Sequence, residues 1–312
     1  MTDYQNLVFD ANNLFWRSTS NCMEKFIVFE DERLYVGAIQ EFLKRVKELR
    51  DRYSRGDSKI YFLFDNPFSQ INLRKIISEG KYKHPRKSRR VPEQVYKSLL
   101  LLYEILGLYS NDFIILKGDA LEADDLTFPL KTYLDGQNQG KTLFISADLD
   151  WSRNIDDNNH WFNFSKLYTS ETFKEEHSFS PVGNAVKMWK AIRGDKSDNI
   201  DSSIPYLPNE LVLHIVNNYQ NVEELFKKLH SDEVIPKQWK DKITANKDKL
   251  RVNYQLVDFI PVEKPIEQFF SKSERDPKQC KLWFSLLKLP VESWMETGES
   301  VKRSFFRKNS SL

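Results

Sequence analysis

Short apolar runs that stop at an acid alternate with longer stripes of helical period through the first half of this chain. Leu7-Val-Phe ends on Asp10, and Ile60-Tyr-Phe-Leu-Phe ends on Asp65. Each run is short and almost wholly apolar, the pattern of a strand buried on both faces. Between them Val36, Ile39, Phe42, Leu43, Val46 and Leu49 keep the three-and-four spacing of one helix face. A second stripe carries Val95, Leu99, Leu102, Ile105 and Leu106 and ends near Gly107. Residues 113–116 and 142–146 read as further strands, separated by a helix that opens around Glu122. This alternation predicts an α/β fold, a largely parallel central sheet flanked by helices, with ligands gathering beyond the carboxyl ends of its strands.

After about residue 180 the strand signal fades. Pro181 is expected to begin a helix whose stripe is Val182, Ala185, Val186, Trp189 and Ile192, closed by Gly194. Leu211, Ile215, Val222, Leu225, Phe226 and Leu229 continue in helical spacing. The expected division is an α/β domain over 1–180, a helical subdomain over 181–298 and a basic tail over 299–312. Phe305-Phe306 lies in that tail among Lys302, Arg303, Arg307 and Lys308. The pair reads either as a partner-binding peptide, such as one for a sliding clamp, or as a terminal helix docked on the body.

Composition narrows the class. No apolar run approaches the length of a membrane span, and the start, Met1-Thr-Asp-Tyr-Gln-Asn, lacks a signal-peptide pattern. Two cysteines, Cys22 and Cys280, make a disulfide framework unexpected, so the expected compartment is cytoplasmic, the host's if the chain is phage-encoded. The net charge of +2 says little, because the charges are segregated. From Arg74 to Arg90 the bases Arg74, Lys75, Lys81, Lys83, Arg86, Lys87, Arg89 and Arg90 face a single acid, Glu79. Acids concentrate elsewhere, at Asp10, Asp65, Glu122, Asp124, Asp125, Asp148, Asp150, Asp195 and Asp198.

A lone carboxylate at the tip of an apolar strand is a poor core residue, since burying it uncompensated is costly. Several tips meeting in one crevice would repel unless a cation held them. Hard oxygen donors suit magnesium or manganese, and the scattered His84, His160, His177, His214 and His230 suggest no zinc site. Taken singly the motifs are bland: Glu122-Ala-Asp-Asp as an acidic helix start, Asp148-Leu-Asp as an acidic loop, Gly194-Asp-Lys-Ser-Asp-Asn as a cap and turn. A basic segment beside a metal-filled acidic pocket suits a phosphate polymer.

The ordered set resembles the flap endonuclease and 5′–3′ exonuclease family, particularly its phage ribonuclease H branch, PIN-like 5′ nucleases. The resemblance rests on Val8-Phe-Asp-Ala-Asn with Arg17, Phe64-Asp65, Tyr82-Lys-His-Pro-Arg86, Glu122-Ala-Asp-Asp, Ser146-Ala-Asp-Leu-Asp and Gly194-Asp-Lys-Ser-Asp-Asn, from Leu7 to about Asn199. It implies a helical arch over the active site, here within residues 74–107, and two magnesium positions that manganese could also fill. By that match Asp10, Asp65, Glu122, Asp124 and Asp125 form the first ligand group or its water-bound shell, and Asp148, Asp150, Asp195 and Asp198 the second. Lys83 and Arg86 would act on the scissile phosphate, and Tyr82 would stack on a base. Arg17, Lys87, Arg89, Arg90 and Lys196 would contact nucleic acid. The implied enzyme is a free-standing monomer cutting 5′ flaps, 5′ ends and RNA–DNA hybrids, as in primer removal, with a sliding clamp or single-strand-binding protein as a partner. A PIN-type single-stranded ribonuclease and a non-catalytic nucleic-acid scaffold are the alternatives. One departure stands out: Asn199 is followed by Ile-Asp-Ser-Ser-Ile-Pro-Tyr-Leu-Pro, without the glycines of the family's duplex-gripping hairpin and monovalent-ion site.

Overall fold

The computed structural model describes residues 3–19, 25–29, 32–65, 73–78, 82, 93–109, 113–271 and 276–287. The chain enters through β1 (Tyr4–Asp10) and α1 (Ala11–Thr19), then a small hairpin, β2 (Ile27–Phe29) with β3 (Glu32–Leu34). The stripe from Val36 forms α2 (Val36–Tyr53), followed by β4 (Ser54–Phe64), a short α3 (Leu73–Ile77) and α4 (Glu93–Tyr109). Next come β5 (Phe113–Lys117), α5 (Ala123–Gly136), β6 (Thr142–Ile145) and a 3-10 turn over Leu149–Asn154. The hairpin of β7 (Asn159–Phe162) and β8 (Leu167–Tyr168) completes the sheet, and α6 (Ser170–His177) follows.

The sheet runs β5-β4-β1-β6-β7-β8, parallel throughout except for β8, which turns back along β7. Strand order departs from β1 in both directions, to β4 and β5 on one side and to β6 and β7 on the other. Such a switch point leaves a crevice at the carboxyl ends of the strands. Side chains alternate with period two between the faces. Leu7 and Phe9 of β1, Phe62 of β4 and Ile145 of β6 join one core with α2, α4 and α12 (Pro277–Leu286). Val8, Tyr61, Leu63 and Phe144 join the other core, beneath α5 and the later helices.

Those later helices are α7 (Ala185–Arg193), α8 (Asn209–Asn218), α9 (Val222–Lys228), α10 (Lys237–Ala245) and α11 (Lys247–Leu256). The expected helix start at Pro181 moves to Ala185, because Gly183 takes a left-handed φ of 80° and Val182 lies 55% exposed. Gly194 ends α7 at φ 81°, where an added Cβ would meet the Ile200 carbonyl oxygen at 2.4 Å. Only glycine fits there, and it lets Asp195 and Ile200 exchange backbone hydrogen bonds at 2.8 Å. No helix among the described residues is long and apolar enough to cross a membrane.

Candidate metal centre

Acids reach one edge of the sheet along separate strand exits. Asp10 closes β1; its Oδ1 accepts the Asn13 N–H at 2.9 Å and its Oδ2 accepts the Ser146 hydroxyl at 2.7 Å. Ser146, buried just past β6, also accepts the Asp148 N–H at 3.0 Å, so one hydroxyl ties the two exits together. Asp65, one residue past β4, accepts the Ala123 N–H of α5 at 2.8 Å, a donor the helix start would otherwise leave unpaired. Burial pushes the Asp10 carboxyl up to about 7, and the Asp65 charge adds to it.

Asp124, Asp148 and Asp150 present oxygens within 4.8 Å of one another, a group able to hold a divalent cation. The Trp151 indole N–H fixes Asp124 at 2.5 Å, and Asp148 caps the 3-10 turn by accepting the Asp150 N–H at 3.0 Å. Across from them lies Lys190 of α7. Its ammonium is 2.6 Å from Asp150, 2.6 Å from Asp195 and 3.6 Å from Asp148, in a side chain only 5% exposed. Burial works against that charge, but the surrounding carboxylates outweigh it and hold the amine well above the usual lysine range. Asp150 is pushed up to about 6, by burial first, with Lys190 pulling it back. Its Oδ1 is buried without a hydrogen-bond partner. Asp195 stays below the usual carboxylate range: burial would raise it, and Lys190 with the Ser197 N–H and hydroxyl overcomes that.

Two sequence expectations are corrected here. Asp125 is fully buried, and both its oxygens are occupied: Arg74 donates to each, the Ile260 N–H to one and the Glu122 N–H to the other. It anchors the start of α5 rather than facing an ion. Tyr82 is 2% exposed and so has no face for a nucleobase. Its hydroxyl instead lies 3.0 Å from Glu122 and 3.1 Å from Asp198, its one proton shared between acids assigned to different groups. Arg74, read from sequence as part of a basic surface, is buried beneath them and also donates to the Leu256 and Asp258 carbonyls. Of the expected nucleic-acid contacts, Arg17 lies in the last turn of α1 with its guanidinium 4.7 Å from the Phe164 ring centre, and Lys196 is exposed in the turn after Gly194. Lys83, Arg86, Lys87, Arg89 and Arg90 lie outside the described residues, as does the Phe305-Phe306 tail.

No protein-family model matches the chain. A 5′-3′ exonuclease of Mycoplasmopsis pulmonis is 27% identical over 158 residues, and the match spans half of this chain and half of that relative's length. Among solved structures, the T5 D15 protein crystallised with metal ions superposes with a TM-score of 0.63 at 19% identity, covering 94% of this chain and 99% of that one. The bacteriophage T5 D15 flap endonuclease with DNA and metal ions also gives 0.63 at 19% identity, covering 91% and 99%. The fold is that of the flap endonucleases and 5′-exonucleases. In this 5′-nuclease fold, sequence reasoning missed Lys190, Ser146 and Trp151 as parts of the site. Lys190 left a signal: it stands four residues after Val186, so helical period carries it to the buried face. Ser146 and Trp151 left none beyond adjacency to the acids.

Proposed function

We propose that the chain is a divalent-metal-dependent 5′ nuclease, hydrolysing phosphodiesters near 5′ ends and junctions of DNA and of RNA–DNA hybrids. The observation that carries this reading is the gathering of Asp124, Asp148, Asp150 and Asp195 about one buried ammonium, with Asp10 tied to them through Ser146, at the switch point of a parallel sheet. The donor set fits the ion. All donors are hard oxygens, and Asp150 Oδ1 is a buried acceptor with nothing yet donating to it. Asp124, Asp148 and Asp150 would hold one magnesium or manganese ion, with Asp10 and Asp65 supporting a second position. Bound there, the ions supply activation of water and stabilisation of the attacking and leaving oxygens.

The chain's own residues do the positioning. Ser146 fixes the spacing of Asp10 and Asp148, Trp151 orients Asp124, and Lys190 keeps the acid cluster compact before any ion arrives. Tyr82 and Arg74 hold the start of α5 in place. Of the segment 74–107, Arg74, Tyr82 and the α4 stripe belong to the body, so the arch is proposed for the stretch between Tyr82 and α4, with Lys83 and Arg86 directed at the scissile phosphate and Lys87, Arg89 and Arg90 at its neighbours. We assign residues 1–180 to the nuclease domain and 181–298, apart from α12 in the sheet's core, to nucleic-acid binding; the basic tail over 299–312 either binds a partner such as a clamp or single-strand-binding protein or docks on the body. The Mycoplasmopsis pulmonis exonuclease and the T5 flap endonuclease with DNA support this reading by their described activity and ligands. Incubating the purified chain with labelled flap, nicked and hybrid substrates, with magnesium and with chelator, tests it. Magnesium-dependent release of short 5′ products is expected, and no cleavage of any of the three would contradict it.

A further inference from the structure

A groove of about 410 Å³ opens beside the acid cluster, within the range of roughly 300–1,000 Å³ typical of small-ligand sites. Asp148, Lys190 and Asp195 line it and belong to the centre described above; Asn13, Trp189 and Lys196 are among its other lining residues. Trp189 sits on α7 between Met188 and Lys190, both buried, yet is itself only half-buried. Behind it Phe179 stacks at 6.4 Å and 23°, Phe173 meets Phe179 edge-on at 5.6 Å, and His177 stacks on Phe173 at 4.2 Å. The aromatic column fixes the indole, so a planar ligand meeting it loses little to side-chain ordering. A tryptophan that merely filled the rim of the core would need no groove in front of it. Here the groove is lined by a half-buried aromatic ring and an exposed lysine, and it shares a wall with the acids.

We propose that this groove is a nucleotide subsite, in which one base of the strand being cut stacks on Trp189 while its backbone phosphate runs past Lys196. The inference rests on the nuclease reading and adds the residue that receives an unstacked base next to the acids. A nucleobase matches the chemistry of that ring, because every base offers a π face and stacking tolerates any sequence. Lys196 contributes a charge contact to the backbone, so its part should depend on salt.

The test uses the full chain with single-stranded and flap oligonucleotides carrying 2-aminopurine at successive positions, in calcium to hold turnover low. Quenching is expected at one position with the unmodified chain and with Trp189→Phe. Trp189→Leu should lose that quenching and bind roughly tenfold more weakly. Lys196→Ala should lower the salt slope of binding by about one. A second measurement needs no variant: 5-iodouracil at the quenched position should photo-crosslink the unmodified chain at Trp189. Unchanged affinity and quenching in Trp189→Leu, or a crosslink to another residue, would overturn the subsite. Magnesium-dependent cleavage by the unmodified chain separates the two claims. Cleavage without a stacked base removes the subsite alone, and a stacked base without cleavage removes the nuclease reading and keeps the subsite.

Discussion

Two clusters of acids meet at the carboxyl edge of this sheet, and each surrounds one buried cation. Around Arg74 the account closes: the guanidinium donates to Glu122, to both oxygens of Asp125 and to the Leu256 and Asp258 carbonyls. Backbone N–H groups take up what Asp125 still offers. Around Lys190 it does not close. One ammonium serves Asp148, Asp150 and Asp195, Asp124 stands within ion-binding distance of two of them, and a buried oxygen of Asp150 is left without a donor. A planar fork satisfies carboxylates in pairs, whereas an ammonium is a point charge with three donors. Asp125, completed by arginine and backbone, anchors the start of α5. The acids under-served by lysine are left able to bind a metal ion.

The largest effect should come from the closed cluster. Replacing Arg74 with Met leaves Asp125 buried without its partner, and we expect a loss of about 3–5 kcal/mol in urea unfolding, indifferent to magnesium. A loss under about 1 kcal/mol would show that the arginine cluster is not structural, and the contrast would fail. Lys190→Met should cost less, about 1–3 kcal/mol in chelator, because Asp148 and Asp195 keep some contact with water whereas Asp125 has none. Millimolar magnesium should then raise the melting temperature of Lys190→Met more than that of the unmodified chain. Equal magnesium shifts in both would mean that ion and ammonium do not serve the same acids.

Much of this edge is legible in the order of residues alone. Asp10 and Asp65 each end an apolar run, and a strand buried on both faces must deliver its terminal acid to the crevice. Asp124 and Asp125 are not separable by sequence. They are adjacent on one helix start, and what divides them is Arg74, some fifty positions away and folded beneath Asp125 alone. Tyr82 misleads for the same reason, since a tyrosine in a basic stretch reads as exposed until Glu122 and Asp198 claim its hydroxyl. The β7 strand escapes a sequence reading because Asn159-His-Trp-Phe opens on two polar residues; both are buried, and His160 hydrogen-bonds the Tyr4 hydroxyl at 2.7 Å.

A third acid, remote from both clusters, sharpens the contrast. Asp232 accepts from the Tyr219 hydroxyl, from His214 and from the Val234 and Ile235 N–H groups. Burial alone would raise its carboxyl, and these donors instead hold it down to about 2. A depressed carboxyl stabilises the fold above its unfolded value near 4 and loses that contribution as pH falls towards 2. Asp232→Asn should therefore cost about 1–2 kcal/mol at pH 7, with the gap to the unmodified chain closing below about pH 4. A gap that stayed constant from pH 7 to pH 2.5 would show that ionisation plays no part.

The smallest effect concerns the loop that leaves the lysine cluster. Tyr206 is 90% exposed and left-handed at φ 65°, a conformation that disfavours side chains. Tyr206→Gly should stabilise by up to about 1 kcal/mol, which calorimetry would register as a small rise in melting temperature. A fall would mean that the tyrosine makes contacts outweighing its strain.

Asp148→Asn offers the most direct test of the under-served cluster. It keeps the shape of a side chain that caps the 3-10 turn and removes one charge from beside Asp124, Asp150 and Lys190. The single-turnover rate on a labelled 5′ flap in saturating magnesium should fall by at least about a hundredfold, while affinity for the flap in chelator is unchanged or tighter. Cleavage at a near-normal rate by Asp148→Asn would contradict the account.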